Sequence, residues 1–234
     1  MPQQNQFFSK EFMLTLYREL WEADTKTKIQ FTLNYIETVK ENYPLELVEY
    51  MTQTQLANIY FDQQEYEKAL PLLKEINEKE TPEKTAGKHL YTSLLIRTHR
   101  FLKNYKEALS VFEGAMEQQN QNPKAFKILD LLEDYVNLCE DAVWPFDPIY
   151  EPHIHQVIQD LGFPEKNLST IELVRFLEQL NKTWNIRLGT IQVKEDISQE
   201  ERNKLFQEYI QECPIQWYRD YASRCISPKI NPQN

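Results

Sequence analysis

Two stretches of the 234-residue chain share one pattern of residues, and this internal match constrains the fold more than any other feature. The first stretch reads QQEYEKALPLLKEI (63–76) and the second reads LKNYKEALSVFEGA (102–115). Each carries Ala-Leu three residues after a tyrosine, at Ala69 in the first stretch and Ala108 in the second. Internal repeats of this kind are typical of helical arrays, in which one helix pair buries its apolar face only against a neighbouring pair.

The match continues upstream, because Leu56, Ala57 and Tyr60 precede the first stretch as Leu95, Ile96 and His99 precede the second. Together these residues resemble the tetratricopeptide repeat (TPR) family, whose pattern is W-x2-L-G-x2-Y, then A-x3-F, then P. The resemblance covers residues 51–121 and departs from the pattern at Gln53 and Thr92, which replace tryptophan. It implies antiparallel helix pairs stacked into a solenoid, with small residues such as Ala57 and Ala69 where two helices cross.

Helical periodicity and capping signals predict an all-α fold, a TPR-like α-solenoid of antiparallel helix pairs followed by a C-terminal helical extension. Capping boxes begin at Ser169 and Ser198, and Asp24 is placed to cap the second helix. The branched residues of 186–193 favour a short strand. We interpret Gly114 as permitting close helix packing. The remaining predicted helices span residues 44–62, 65–79, 83–102, 105–120, 123–139, 170–184 and 199–212.

A stretch rich in proline and aromatic residues, AVWPFDPIYEP (142–152), interrupts the helical pattern. Closely spaced prolines prevent a helix there, and the aromatic residues favour a segment that docks on another surface. We therefore predict two domains, a TPR-like repeat body over 1–140 and a linker with a C-terminal helical extension over 141–234. Aromatic residues of this second region, including Trp217, Tyr218 and Tyr221, suit either an intramolecular contact or an interface with a partner.

Composition excludes several classes of protein. The net charge of −10 disfavours attraction to nucleic acid, and no apolar run is long enough to span a membrane. Residues 1–20 contain no apolar core of a signal peptide, so we expect a protein that is not secreted. Three cysteines without C-x-x-C spacing indicate a reducing compartment such as the cytoplasm.

Candidate catalytic and metal-binding residues are few. His153 and His155 could bind a metal with Cys139 as a third ligand, but a helix starting near Pro152 would turn two side chains spaced by two residues about 200° apart. The cysteines lie in no motif with a general base, and glycine-rich phosphate loops and metalloprotease strings do not occur. The sequence therefore predicts no enzyme, no cofactor and no metal site.

The function that the sequence favours is a protein-interaction scaffold or adaptor, either free or as a subunit of a larger complex. The resemblance implies that the first helix of each pair lines a concave face that takes a partner segment. Arg97 and Arg100 have no Asp or Glu three or four positions away, so an acidic or carboxylate-bearing segment is the predicted occupant. The predicted groove consists of Thr54, Asn58, Phe61, Ser93, Arg97 and Arg100.

Two other functions stay open at this stage. An immunity or regulatory protein would neutralise one specific basic partner, with which the acidic composition is compatible. A metal-dependent hydrolase would use His153 and His155. A tightly held basic partner would support the first alternative, and bound metal would support the second.

Overall fold

A computed structural model of the chain describes residues 7–79, 88–164 and 166–226. Helix accounts for 81% of it, and the described residues contain no strand, so the predicted all-α class is confirmed. The solenoid of TPR-type pairs stays a prediction. Residues 83–87 of the helix predicted over 83–102 lie outside the described residues.

Eleven α-helices are described, most of them close to the predicted bounds. Short π-helical and 3-10 turns accompany them at Thr15–Glu19, Lys40–Asn42 and Pro148–Tyr150. The helices are α1 (Lys10–Leu14), α2 (Thr25–Val39), α3 (Leu45–Asp62), α4 (Tyr66–Lys79), α5 (Lys88–Phe101), α6 (Tyr105–Gln121), α7 (Ala125–Ala142), α8 (Glu151–Leu161), α9 (Thr170–Val193), α10 (Gln199–Glu212) and α11 (Gln216–Cys225).

The chain divides into two compact units, unit 1 (Met1–Glu113) and unit 2 (Gly114–Asn234). This division falls within α6, and the predicted domain boundary after residue 140 stays a prediction. Helix α7 packs against α8 and α9, which follow it in the chain. The segment that the sequence assigned to the end of a repeat body therefore provides packing surface for the C-terminal helices.

In unit 1, α3 packs against both α2 and α4, and α4 packs against α5. The two alanines expected at helix crossings, Ala57 and Ala69, are fully buried in a cluster with Leu73, Ile76 and Leu95. Close packing around such small residues leaves no space for a larger side chain. An aromatic group formed by Phe7, Phe8, Phe12, Phe31, Tyr35 and Tyr43 holds the N-terminal helices together.

In unit 2, α10 and α11 form a closely packed pair, and α9 contacts α7, α10 and α11. The proline- and aromatic-rich stretch docks on α7, as expected. Phe146 and Tyr150 place their rings 5.2 and 5.0 Å from the ring of Tyr135, centroid to centroid. The Asp147 N–H also donates to the Tyr135 hydroxyl at 3.3 Å.

Helices α3, α5 and α7 end in the same kind of turn. A residue with positive φ follows each helix, namely Gln64 (59°), Lys103 (58°) and Val143 (57°). The N–H of the next residue donates to the carbonyl five positions earlier, at 2.8 Å in all three turns. The N–H of the positive-φ residue donates to the carbonyl three positions earlier, which completes a Schellman motif. The turn thus recurs at nearly the spacing of the sequence match.

The predicted helix starts at Asp24, Ser169 and Ser198 are confirmed. The Asp24 carboxylate accepts from the Thr27 N–H at 2.8 Å, and both serines form capping boxes with Glu172 and Glu201. Each cap satisfies backbone N–H groups that have no partner within the helix.

Two interpretations of local sequence were wrong. Residues 186–193 form no strand but complete α9, because Leu188 and Ile191 recur at helical spacing and are buried there. Arg202 stabilises this helix end by donating to the carbonyls of Ile191 and Gln192 at 2.6 and 2.9 Å. Gly114 lies on α6, and apart from its own helix backbone and its chain neighbours no described atom is within 4 Å of a methyl group built on it, so close packing does not explain this glycine.

Candidate functional site

Two of the six predicted groove residues are buried. Thr54 on α3 is 3% exposed, and its hydroxyl donates to the Met51 carbonyl at 3.0 Å. Ser93 on α5 is 5% exposed. Neither residue therefore lines an exposed groove, because the inner faces of α3 and α5 are closed by packing at these positions.

The other four groove residues, Asn58, Phe61, Arg97 and Arg100, are half-buried. Phe61 packs against Phe101 at 6.1 Å between ring centroids, and the Arg100 guanidinium lies 4.7 Å from the centroid of the Phe101 ring. Both arginines already take part in interactions within the structure. Their role in binding an acidic segment stays a prediction.

The predicted groove positions have counterparts on α7. In α3 and α5 they lie 10, 6 and 3 residues before the positive-φ residue of the turn. The residues at those distances before Val143 are Glu133, Asn137 and Glu140. The shared turn therefore identifies one corresponding face on each of the three helices.

Helix α9 covers this face of α7. One Arg175 nitrogen, Nη2, donates to Asn137 Oδ1 at 2.9 Å and to Glu140 Oε2 at 2.6 Å. Lys182 Nζ lies 3.8 Å from Glu133 Oε1. Arg175 and Lys182 are two helical turns apart, as are the two glutamates they meet. In unit 2, a helix of the chain itself thus occupies the face that corresponds to the predicted groove.

A cleft of about 390 Å³ opens elsewhere in unit 2, between α7, α9 and α11. It combines aromatic rings with side-chain amides and one carboxylate, which is the mixture expected of a site that fixes a ligand by a few polar contacts. The lining residues are Phe126, Asp130, Asn181, Asn185, Leu188, Gln192, Trp217, Tyr218 and Tyr221.

One face of α9 supplies the amides. Asn181, Asn185, Leu188 and Gln192 are spaced by four, three and four residues and therefore form a single stripe along the helix. Leu188 is buried, whereas Asn185 and Gln192 are exposed. Among the described residues, the Asn185 side chain has no hydrogen-bond partner, so its amide can both donate to and accept from a ligand.

Helix α11 supplies the aromatic wall. Trp217 stacks nearly parallel to Tyr221, with 5.4 Å between ring centroids and an interplanar angle of 15°. The same indole meets the Phe126 ring edge-on at 4.7 Å. These contacts fix the orientation of a half-buried tryptophan, which lowers the entropy lost when a ligand packs against it.

Two hydrogen bonds join the amide stripe to the aromatic wall. The Tyr218 hydroxyl donates to Asn181 Oδ1 at 2.8 Å, and Gln192 Nε2 donates to the Tyr221 hydroxyl at 3.1 Å. Burial raises the pKa of Tyr218, and the charge of Asp130 adds to the effect, so the phenol stays protonated as a donor. These bonds tie the two sides of the cleft together, while the Asn185 amide, on α9 between Asn181 and Gln192, stays available.

Sequence reasoning singled out Trp217, Tyr218 and Tyr221 but missed Phe126 and the amides of this cleft. The signal was present, because Asn181, Asn185 and Gln192 share a helical face. The expected strand over 186–193 removed Gln192 from that helix. A prediction of one continuous helix over 170–193 would have placed all three amides on one face.

The candidate metal ligands do not come together. His153 and His155 lie on α8, two residues apart, where a helix points their side chains in different directions. Cys139 is buried in α7. Within residues 7–79, 88–164 and 166–226, no group of three or more His, Cys, Asp or Glu side chains is arranged to hold a metal ion.

Comparison with protein-family models, with curated proteins and with solved structures finds no match for this chain. The TPR resemblance therefore depends on the residues and the internal repeat alone. In the part of the chain that the structure describes, no helix has both the length and the apolar character needed to cross a membrane.

Proposed function

We propose that the chain is a protein-interaction module that holds an extended peptide segment of a partner in the cleft between α7, α9 and α11. The observation that carries this proposal is the exposed Asn185 amide, which belongs to the row of amides on α9 and lines the same cleft as the aromatic wall of α11. A peptide group has one donor and one acceptor, and the Asn side chain offers the complementary pair.

The aromatic wall supports the same proposal. Tryptophan and tyrosine contribute most of the binding free energy at many protein interfaces, because they bury a large area with little loss of conformational entropy. A partner side chain packed on Trp217 would bury apolar surface, while the amides would satisfy its backbone. As a scaffold or adaptor, the chain would use this cleft together with the helix pairs of unit 1.

The test is a selection from a library of random nine-residue peptides on the purified chain, followed by fluorescence anisotropy with the selected peptides. We expect Asn185→Ala to weaken binding by about 5- to 10-fold, the effect of one net hydrogen bond. Trp217→Ala should weaken it by about 30-fold or more, as expected for an interfacial tryptophan. The circular dichroism spectrum should keep its helical signal in both variants.

Matched controls lie in unit 1. Asn34→Ala removes an exposed helical amide of α2, and Trp21→Ala removes an exposed indole, so neither should change binding of the selected peptides. Selected peptides that bind Asn185→Ala and Trp217→Ala as tightly as the unaltered chain would refute the proposal. Failure to select any peptide above background would refute it as well.

A further inference from the structure

Unit 1 contains a second cleft, unrelated to the peptide cleft and smaller, with a volume of about 250 Å³. It lies beside the π-helical turn Thr15–Glu19, between this turn, α2 and the end of α3. Its walls combine apolar side chains with one cation and one anion. The residues that line the cleft include Leu16, Tyr17, Trp21, Lys28, Ile59 and Asp62.

Lys28 is the unusual member of this cleft, because a lysine is rarely buried without a charged partner. It is only 7% exposed, and its ammonium donates to the Trp21 carbonyl at 2.9 Å. An ammonium has three N–H donors, so this one bond leaves two. Among the described residues, no second acceptor lies within hydrogen-bond distance of Lys28.

Asp62 supplies the anion at the rim of the same cleft. Loss of hydration raises the pKa of its carboxyl group, and the nearby charge of Lys28 partly offsets the rise. The charge of Lys28 therefore acts on Asp62, yet among the described residues the two side chains form no ion pair within 4 Å. A cation and an anion therefore border one small cleft without neutralising each other directly.

The apolar walls are held in place by an irregular backbone. In the π-helical turn, the Leu20 N–H donates to the Thr15 carbonyl five residues earlier, at 2.9 Å. π-Helical turns are rare and occur frequently at functional sites. This turn buries Leu16 and brings the Tyr17 hydroxyl to Gln55, whose amide donates to it at 3.0 Å. Trp21 follows the turn with its side chain 70% exposed.

We infer that this cleft binds a free α-amino acid with an apolar side chain. The ligand carboxylate pairs with Lys28, the ligand ammonium pairs with Asp62, and the apolar side chain packs against Leu16, Ile59 and the Trp21 indole. A simple carboxylate would meet repulsion from Asp62, and a simple amine would meet repulsion from Lys28. Only a ligand that carries both charges satisfies both residues, which is how such a site excludes competitors.

The test uses isothermal titration calorimetry on the full chain with L-leucine, L-methionine and L-phenylalanine. At least one of them should bind with a Kd on the order of 1 mM or tighter, in line with the free energy available to so few atoms. Two leucine analogues lacking one charged group each, 4-methylpentanoate and 3-methylbutylamine, should bind at least 10-fold more weakly. Absence of binding by all three amino acids, or equal binding by the analogues, would overturn the inference.

Variants locate the site. Lys28→Met keeps the apolar stem and removes the charge, and Asp62→Asn removes the opposite charge at an exposed position. Each should weaken amino-acid binding by at least 10-fold, whereas Lys40→Met, on a lysine of the same unit whose side chain is 41% exposed, should not. Asp62→Asn changes only an exposed side chain and decides the question even if Lys28→Met fails to fold. Undiminished binding by Asp62→Asn would place the ligand elsewhere. This inference does not depend on the peptide cleft, since its probes are free amino acids and its variants all lie in unit 1.

Discussion

The α3–α4 and α5–α6 segments meet the same structural requirement with different residues. Both have a Schellman turn with the same hydrogen bonds, and both bury an alanine near the start of the second helix, Ala69 and Ala108. They differ at the position of Ala57, where the second segment has Ile96, and both of these residues are fully buried. A conserved backbone geometry therefore tolerates a large change in side-chain volume when the surrounding residues adjust.

The three Schellman turns differ in the residue at their left-handed position. Glycine is the usual residue at the left-handed position of this motif, yet here it is Gln64, Lys103 or Val143. After the first two, the next helix begins within two residues, whereas after Val143 the chain continues through Pro145 and Asp147 before α8. The three turns therefore share their hydrogen bonds and not the residue at the left-handed position.

The largest change in the free energy of unfolding is expected for substitutions at Ala69 and Ala108, which test whether the two positions are equivalent. Ala69→Trp and Ala108→Trp should each destabilise the chain by about 1–3 kcal/mol or more, because a fully buried alanine leaves no space for an indole. Urea denaturation followed by circular dichroism measures both losses. The exposed position Ser110 on α6 is the control, and Ser110→Trp should change the free energy of unfolding little. A large loss at only one of the two alanines would show that the two positions are not equally tightly packed.

A smaller effect of opposite sign is expected in the turns. Val143→Gly should stabilise the chain by about 1 kcal/mol, because a β-branched residue is strained at positive φ. The Val143 side chain is 89% exposed, so the substitution removes almost no packing. Gln64→Gly and Lys103→Gly should stabilise less, since unbranched residues tolerate this conformation better. The melting temperatures of the variants give the order of these effects. Val143→Ala keeps a Cβ but removes the branching, so its melting temperature should lie between those of the unaltered chain and Val143→Gly.

The smallest expected effect is a pH dependence of stability that His99 gives to the α5–α6 segment alone. His99, in the position of Tyr60, is buried, and loss of hydration lowers its pKa, with Lys74 adding to the effect and Glu107 opposing it. As pH falls below about 6.5, His99 binds a proton in the unfolded chain but stays neutral in the folded chain. The free energy of unfolding therefore decreases as pH falls below that value.

Replacement by the residue of the first segment tests this explanation. His99→Tyr should reduce the loss of stability between pH 7.5 and 5.5, measured as the urea midpoint at each pH. His155→Tyr, on an exposed residue of α8, should leave the dependence unchanged. An identical pH dependence in the unaltered chain and His99→Tyr would remove His99 as its source.

Much of the fold could be predicted because it follows from local chemistry. Asp24, Ser169 and Ser198 begin helices where expected, since a capping side chain satisfies N–H groups only a few residues away. The candidate site was predicted less well. Thr54 and Ser93 were expected on an exposed face, but which face of a helix is covered depends on neighbours that are distant in sequence. The peptide cleft was hidden for the same reason, because its amides and aromatic rings come from three separate helices.

Local patterns in the sequence were enough to establish the helical class and most helix starts, and they include an internal match at an offset of 39 residues. Helical periodicity and caps act over a few residues and can be recognised without any knowledge of packing. Tertiary structure alone decided that residues 186–193 continue α9, since burial of Leu188 and Ile191 and the hydrogen bonds from Arg202 outweigh the preference of branched residues for strands. It also decided that α9 covers α7, because this depends on Arg175 meeting Asn137 and Glu140, 35 or more residues away in the chain.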